Sequence, residues 1–248
     1  MQLKHFFKQN PRIAVAFSGG VDSSYLLYAA KMSGCDVRAY FIKSQFQPEF
    51  ELNDAMSFAA QHEIPLTVDN LNALEDPTVA NNPADRCYYC KLHIFSRLRD
   101  LAKADGFEIL CDGTNANDDE ADRPGMRALR EMGVFSPLRE CEMTKKKIRL
   151  LSKDAGLKTH DKPSYACLAT RIPTGTAITE ALLKKVEHAE EVLFEMGFSD
   201  LRVRFVPPDN AKIQLPDNQL EKAIAKRTQI VKTLKPTFEN ILLDMVGR

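Results

Sequence analysis

Ile13-Ala14-Val15-Ala16-Phe17, followed at once by Ser18-Gly19-Gly20-Val21-Asp22-Ser23-Ser24, is the stretch from which the fold follows. A short apolar run containing β-branched residues reads as a buried strand, and a glycine pair lets the backbone turn tightly out of it. Residues 21–32 then carry Tyr25, Leu26, Tyr28 and Ala29 at helical spacing. Strand, glycine turn and helix start aim free backbone N–H groups and the positive end of a helix at an anion. The turn lacks the lysine that would complete G-x-x-x-x-G-K-[ST], so it is not a Walker A loop.

Outward from this unit, strand-like and helix-like segments alternate. Residues 37–42 read as a second strand, 49–62 as a helix, 65–68 as a third strand, 91–104 as a helix and 108–111 as a fourth strand. Such alternation predicts parallel β-α units, an α/β doubly wound sheet with helices on both faces. Ligands sit at the carboxyl ends of strands in such sheets. The opening loop lies at one of these ends, Ser44 at another, and Asp112-Gly113-Thr114-Asn115 at a third. The pattern changes after Pro163. Residues 179–197 read as an amphipathic helix capped by Thr179, with Leu182, Val186, Val192 and Leu193 on its stripe and Gly197 as its stop. Residues 201–205 and 212–215 alternate like half-buried strands around Pro207-Pro208-Asp209-Asn210, and a helix over 218–234 and a strand over 240–245 follow. The expected division is 1–165, a nucleotide-binding domain, and 166–248, a smaller α+β domain for substrate or oligomerisation.

The bulk numbers bound the function classes. A chain of 248 residues can bury a large core. Its 34 basic residues match its 34 acidic ones, which leaves no global electrostatic case for nucleic acid. No apolar run approaches the ~20 residues of a membrane span, and residues 1–5 carry no apolar signal core. A cytoplasmic protein is expected, and in that compartment the six cysteines read as thiols or metal ligands rather than disulfides.

S-G-G-x-D-S resembles the PP-loop of the ATP pyrophosphatases, an adenine nucleotide alpha hydrolase-like superfamily that cleaves ATP to AMP and pyrophosphate. Three further segments narrow the likeness: Arg86-Cys87-Tyr88-Tyr89-Cys90-Lys91, then residues 113–119 running on to Arg123-Pro124-Gly125, then 162–173 with Pro163-Ser164-Tyr165-Ala166-Cys167-Leu168-Ala169-Thr170-Arg171. Together they resemble the LarE family of ATP-dependent sulfur transferases, which act in making the nickel-pincer nucleotide cofactor. The resemblance implies that ATP adenylates a carboxylate of a pyridinium-dicarboxylate mononucleotide, and that sulfur then displaces AMP to give a thiocarboxylate. ATP-binding residues would be Ser18, Gly19, Gly20, Asp22, Ser23 and Ser44, with Mg²⁺ as cofactor. Two sulfur sources occur in the family. One member type gives up the sulfur of the cysteine that matches Cys167. The other holds a [4Fe-4S] cluster on three cysteines, a pattern that Cys87, Cys90 and Cys167 match, leaving one iron open. Thiolates also suit zinc, with a fourth ligand from Cys111, Cys141, His93 or His160. A homo-oligomer, a hexamer of dimers or trimers, is implied too.

Residue by residue, plainer readings stand beside these. Arg202 and Arg204 alternate on one face of a strand, either a solvated sheet face or, by the resemblance, a fork for the substrate phosphate with Glu190 on the preceding helix. The family continues R-x-R with His and Gly or Asn, whereas here Phe205-Val206-Pro207-Pro208 follows. Arg171 lies near the adenylate or makes a surface ion pair. Asp22 holds Mg²⁺ or only caps its helix. Asp118 and Asp119 are acidic loop residues for which turn chemistry is the plainer reading. Cys35, Cys111 and Cys141 read as small core residues. An amidating ligase, a tRNA-thiolating enzyme and a non-catalytic nucleotide-binding protein are the alternative functions.

Overall fold

The computed structural model of the chain describes residues 2–118 and 124–247. Asp119 and Arg123 lie outside the described residues. The first unit holds α1 (Leu3–Gln9), β1 (Arg12–Ala16), α2 (Val21–Met32), β2 (Asp36–Lys43), α3 (Glu49–Gln61) and β3 (Leu66–Asn70). After the short α4 (Pro77–Ala80) come α5 (Arg86–Ala104), β4 (Leu110–Cys111), α6 (Pro124–Glu131), α7 (Pro137–Glu140) and α8 (Lys145–Asp154). The remainder is α9 (Glu180–Glu195), β5 (Arg202–Val206), β6 (Asn210–Gln214), α10 (Leu220–Ala225), α11 (Arg227–Leu234) and β7 (Asn240–Leu243).

Strand periodicity sorts the core of the first unit into two faces. One gathers Ile13 and Val15 of β1 and Val37, Ala39 and Phe41 of β2 against Leu26 and Leu27 of α2, Phe58 of α3 and Ile148 of α8. The other gathers Ala14, Tyr40 and Ile42 against Phe95, Leu98 and Ala102 of α5 and Leu129 of α6. The sheet is parallel throughout in the order β3-β2-β1-β4, the doubly wound α/β arrangement expected. Strand order reverses between β1 and β4, so the crevice for a ligand opens at their carboxyl ends. No described helix is long and apolar enough to cross a membrane.

A mixed sheet in the order β5-β6-β7, β5–β6 antiparallel and β6–β7 parallel, carries α9 in the second unit. The two compact units comprise Met1–Ala73 with Asp85–Lys162, and Leu74–Ala84 with Pro163–Arg248. The excursion 74–84 belongs to the second because the buried Asn82 ties it there. Its side-chain amide donates to the carbonyls of Ile172, Pro173 and Thr176 at 3.3, 2.8 and 3.2 Å, and its own carbonyl accepts from Gly175 N at 2.9 Å. A single break near residue 165 does not describe this interleaving; eleven residues that donate one amide to a distant turn leave no periodic trace.

Other departures are local. α5 starts at Arg86, ahead of the apolar stripe at 92–101, so Cys87 and Cys90 are helical. Leu183, not Leu182, is the buried leucine at the start of α9. The helix expected over 218–234 breaks at Lys226, whose backbone leaves helical angles (φ −93°, ψ 7°) while its ammonium donates to the Met196 carbonyl at 2.9 Å. β7 ends at Leu243, since the Asp244 carboxylate turns back to Gln214 (2.8 Å) and Lys212 (3.2 Å).

Candidate functional site

β1 delivers the chain into Ser18-Gly19-Gly20, and Gly19 takes a left-handed φ of 68° that side chains rarely adopt. The Ser18 and Ser23 hydroxyls meet at 3.1 Å, and Gly20 N donates to Ser18 Oγ at 3.4 Å, closing the turn on itself. The bond from Ser24 N to Gly20 O at 3.0 Å starts the α2 ladder, so the first-turn N–H groups of α2 have no intrahelical acceptor and face outward. From the neighbouring strand, Gly113 presses on this turn. A Cβ there would stand 2.8 Å from Ser23 N, so only glycine lets β4's exit reach the helix start.

Asp22 does not cap α2: Gly20 holds the N-cap position without a side-chain bond. Instead its Oδ2 accepts from Lys145 Nζ at 2.5 Å, while Oδ1 is buried with no hydrogen-bond partner among the described residues. Burial pushes the Asp22 carboxyl above its ordinary pKa, opposed by the Lys145 ammonium. A buried, half-satisfied carboxylate beside an anion-binding turn fits a hard cation such as Mg²⁺. Lys145 is set in place by the loop after β4. Its backbone N donates to Asn117 Oδ1 at 2.8 Å, and Asn117 N in turn donates to Asn115 Oδ1 at 2.8 Å. A second ammonium, Lys162 Nζ, donates to the Gly19 carbonyl at 3.0 Å and to Asp54 Oδ2 at 2.7 Å. Two lysines therefore stand at the turn in place of the one that a Walker A loop would supply. Local sequence marks neither lysine, because each lies more than a hundred residues from the loop it serves.

The other β-strand-end residues are built into turns. Ser44 Oγ donates to Gln47 Oε1 at 2.7 Å and accepts from Phe46 N at 3.2 Å. Asp112 accepts from Ser136 Oγ at 2.7 Å and from the Thr114 hydroxyl, and Asp118 accepts from Asn115 N at 3.0 Å, the turn chemistry open to it.

Cys87 and Cys90 sit in the first turn of α5, where an i, i+3 spacing puts two thiols on one face. Cys87 is exposed, with Arg86 Nη2 donating to its sulfur at 3.6 Å. Cys167 belongs to the second unit. Among the described residues no group of three or more His, Cys, Asp or Glu side chains is gathered to hold a metal ion. Cys111 and Cys141 are buried, and burial raises the pKa of both thiols and of the half-buried Cys35. Core residues behave this way.

In the second unit, Cys167 caps a single 3₁₀ turn, Leu168–Arg171. Arg171 is fully buried beside Glu190: Nε to Oε1 is 2.8 Å and Nη2 to Oε2 is 3.1 Å. No surface ion pair exists here. The hydrogen bonds and field of Glu190 hold the Arg171 pKa above normal although burial works against its charge. Arg202, also buried, donates to the carbonyls of Leu201 (2.7 Å) and Ser164 (2.6 Å); Arg204 donates to Gln214 Oε1 (2.5 Å) and the Thr170 carbonyl (2.7 Å). The strand thus carries both arginines on one face, as alternation requires, but that face lies on the Cys167 turn rather than open to water.

Comparison with known proteins agrees with this architecture. The family model for the tRNA methyl transferase HUP domain matches residues 11–73. An uncharacterized protein of Synechocystis sp. is 34% identical over 99% of this chain and 92% of its own length. The pyridinium-3,5-bisthiocarboxylic acid mononucleotide synthase of Lactiplantibacillus plantarum is 33% identical over 97% of this chain and 88% of its own. An uncharacterized protein of Methanocaldococcus jannaschii is 33% identical over 98% and 92%. Identity at this level over both units, together with the glycine turn at the switch point of a parallel sheet, places the chain in the LarE family of PP-loop, ATP-dependent sulfur transferases.

Proposed function

We propose that this enzyme uses ATP and Mg²⁺ to adenylate a carboxylate of a pyridinium-3,5-dicarboxylate mononucleotide, releasing pyrophosphate, and then replaces AMP with sulfur to give a thiocarboxylate. The substrate class comes from the name of the L. plantarum relative. The observation that carries the first half-reaction is the convergence of Asp22, Lys145 and Lys162 on the start of α2. A carboxylate resists nucleophiles, and the mixed anhydride with AMP supplies a leaving group. Ser18, Gly19, Gly20 and Ser23 hold the phosphates through backbone N–H and hydroxyl donors, and Ser44 orders the loop at the next strand end. Asp22 Oδ1 takes Mg²⁺, which bound there would neutralise charge building on the leaving pyrophosphate. Lys145 and Lys162 supply two further positive charges to the same oxygens.

Sulfur is assigned to the cysteines that the plain core reading leaves over. Cys87, Cys90 and Cys167 are proposed to hold a [4Fe-4S] cluster, which when bound would offer an exchangeable sulfide at its open iron. The pairing of Cys87 and Cys90 on one helix face, with Cys87 exposed, supports this. A second reading is favoured by the fixed turn around Cys167: that cysteine gives its own sulfur, with Cβ–S cleavage and loss of the α-proton leaving dehydroalanine. A homo-oligomer in the cytoplasm, bound to neither membrane nor nucleic acid, completes the proposal.

The test is pyrophosphate release with the dicarboxylate mononucleotide, followed by iron, sulfide and intact-mass analysis of anaerobically purified protein. ATP binding without substrate-dependent pyrophosphate overturns the adenylation. Iron that Cys87→Ala removes supports the cluster; iron-free protein that loses one H₂S in mass per turnover assigns the sulfur to Cys167.

A further inference from the structure

We propose that Arg171, locked by Glu190, is a positioning residue that fixes the Cys167 turn, and that neither side chain binds substrate. Arg171 Nη1 donates to the carbonyl of Ala166 at 2.7 Å, to that of Cys167 at 3.3 Å and to Thr170 Oγ1 at 2.9 Å. Thr170 Oγ1 in turn donates to the Cys167 carbonyl at 2.8 Å. With Ser164 held by Arg202 and Thr170 by Arg204, guanidinium groups hold four carbonyls of the segment from Ser164 to Thr170. An irregular turn has no ladder to hold its carbonyls, and here planar, multi-donor guanidiniums do that work.

Glu190 is what keeps Arg171 in this pose. Its Oε1 accepts from Arg171 Nε and from Val203 N, both at 2.8 Å. Its Oε2 accepts from Arg171 Nη2 at 3.1 Å and from the Tyr165 hydroxyl. A carboxylate has about four acceptor sites, and these four bonds fill them. The Tyr165 ring packs against two guanidiniums, Arg171 at 4.5 Å and Arg202 at 4.8 Å from its centroid. With side-chain exposures of 0% and 1%, Arg171 and Glu190 cannot meet a phosphate arriving from solvent. What they control is where the Cys167 sulfur points. In a transfer step, reacting atoms must approach to about 3–3.5 Å, and an error of about 1 Å costs orders of magnitude in rate.

The use of that sulfur rests on the function proposed above, but the test does not. Full-length protein, wild type and Glu190→Gln, Arg171→Lys and Thr170→Val, is treated with iodoacetamide, and modification is followed by peptide mass spectrometry. Exposed Cys87 in the first unit is the internal reference, and circular dichroism and thermal melting report folding. Release of the turn is expected to raise Cys167 alkylation several-fold relative to Cys87. Folded variants with an unchanged ratio overturn the proposal. If the two charge variants fail to fold, Thr170→Val decides on the same ratio, because it leaves the ion pair intact and removes the hydroxyl between Arg171 and the Cys167 carbonyl. In parallel, the variants are expected to keep substrate-dependent pyrophosphate release while losing thiocarboxylate. Loss of both in folded protein would mean a general structural role and would also overturn the proposal. If wild type itself releases no pyrophosphate, the function fails and the alkylation ratio still judges the clamp.

Discussion

Two positions stand out beside the glycine turn at the residue scale. Asp22 Oδ1 is buried without a hydrogen-bond partner among the described residues, a costly state unless a ligand relieves it. Asp22→Asn is expected to raise the Mg²⁺ concentration needed for pyrophosphate formation by at least about 10–100-fold, the loss that even a supporting partner of a metal site typically causes. A magnesium titration of pyrophosphate release checks it. Gly113 is the second control point, since its missing side chain makes room for Ser23 N at 2.8 Å from where a Cβ would stand. Gly113→Ala must shift backbone against backbone, and is expected to cost about 1–3 kcal/mol of stability and to weaken ATP binding. Chemical denaturation and calorimetry of ATP binding read the two effects. The place of Asp22 at the glycine turn is legible in the sequence because S-G-G-x-D-S is contiguous. The placement of Lys145 and Lys162 beside that turn is not, since it depends on where α8 and the 158–162 turn pack against α2 and α3.

Elements place these atoms. α2 starts at the carboxyl end of β1, so its free N–H groups and dipole need no special residue beyond glycine and serine. α9 does the equivalent for the second unit, presenting buried Glu190 among Leu183, Val186, Ala189 and Leu193. Its start depends on Thr179, whose Oγ1 accepts from Leu182 N at 3.2 Å. Thr179→Ala is expected to cost about 1 kcal/mol, measurable as a lower melting temperature with pyrophosphate release unchanged. The Thr179 cap and the Gly197 stop, at φ 82°, were readable from local pattern. The buried carboxylate on the apolar stripe was not, because a glutamate there has meaning only once Arg171 is known to face it.

For the molecule as a whole, the groups singled out above divide between the two units. The glycine turn, Asp22, Lys145 and Lys162 all belong to the first, and the arginine-held Cys167 turn to the second. Cys167→Ser is therefore expected to leave pyrophosphate formation close to wild type and to abolish thiocarboxylate, a split visible when both products are quantified in one reaction. The alternation of strands and helices, the anion-binding turn and the plain core character of Cys111 and Cys141 could all be read before folding was considered. Those features arise from neighbours a few residues apart, where spacing alone dictates which side is buried. Nothing comparable announced that 74–84 joins the second unit, or that Arg171, Arg202 and Arg204 hold carbonyls around Cys167. Their partners lie at separations from 1 to 38 residues along the second unit, and a guanidinium's choice between a phosphate and a carbonyl is made by packing. Burial removed water from Arg171 and Glu190, and in the absence of water each had to satisfy the other.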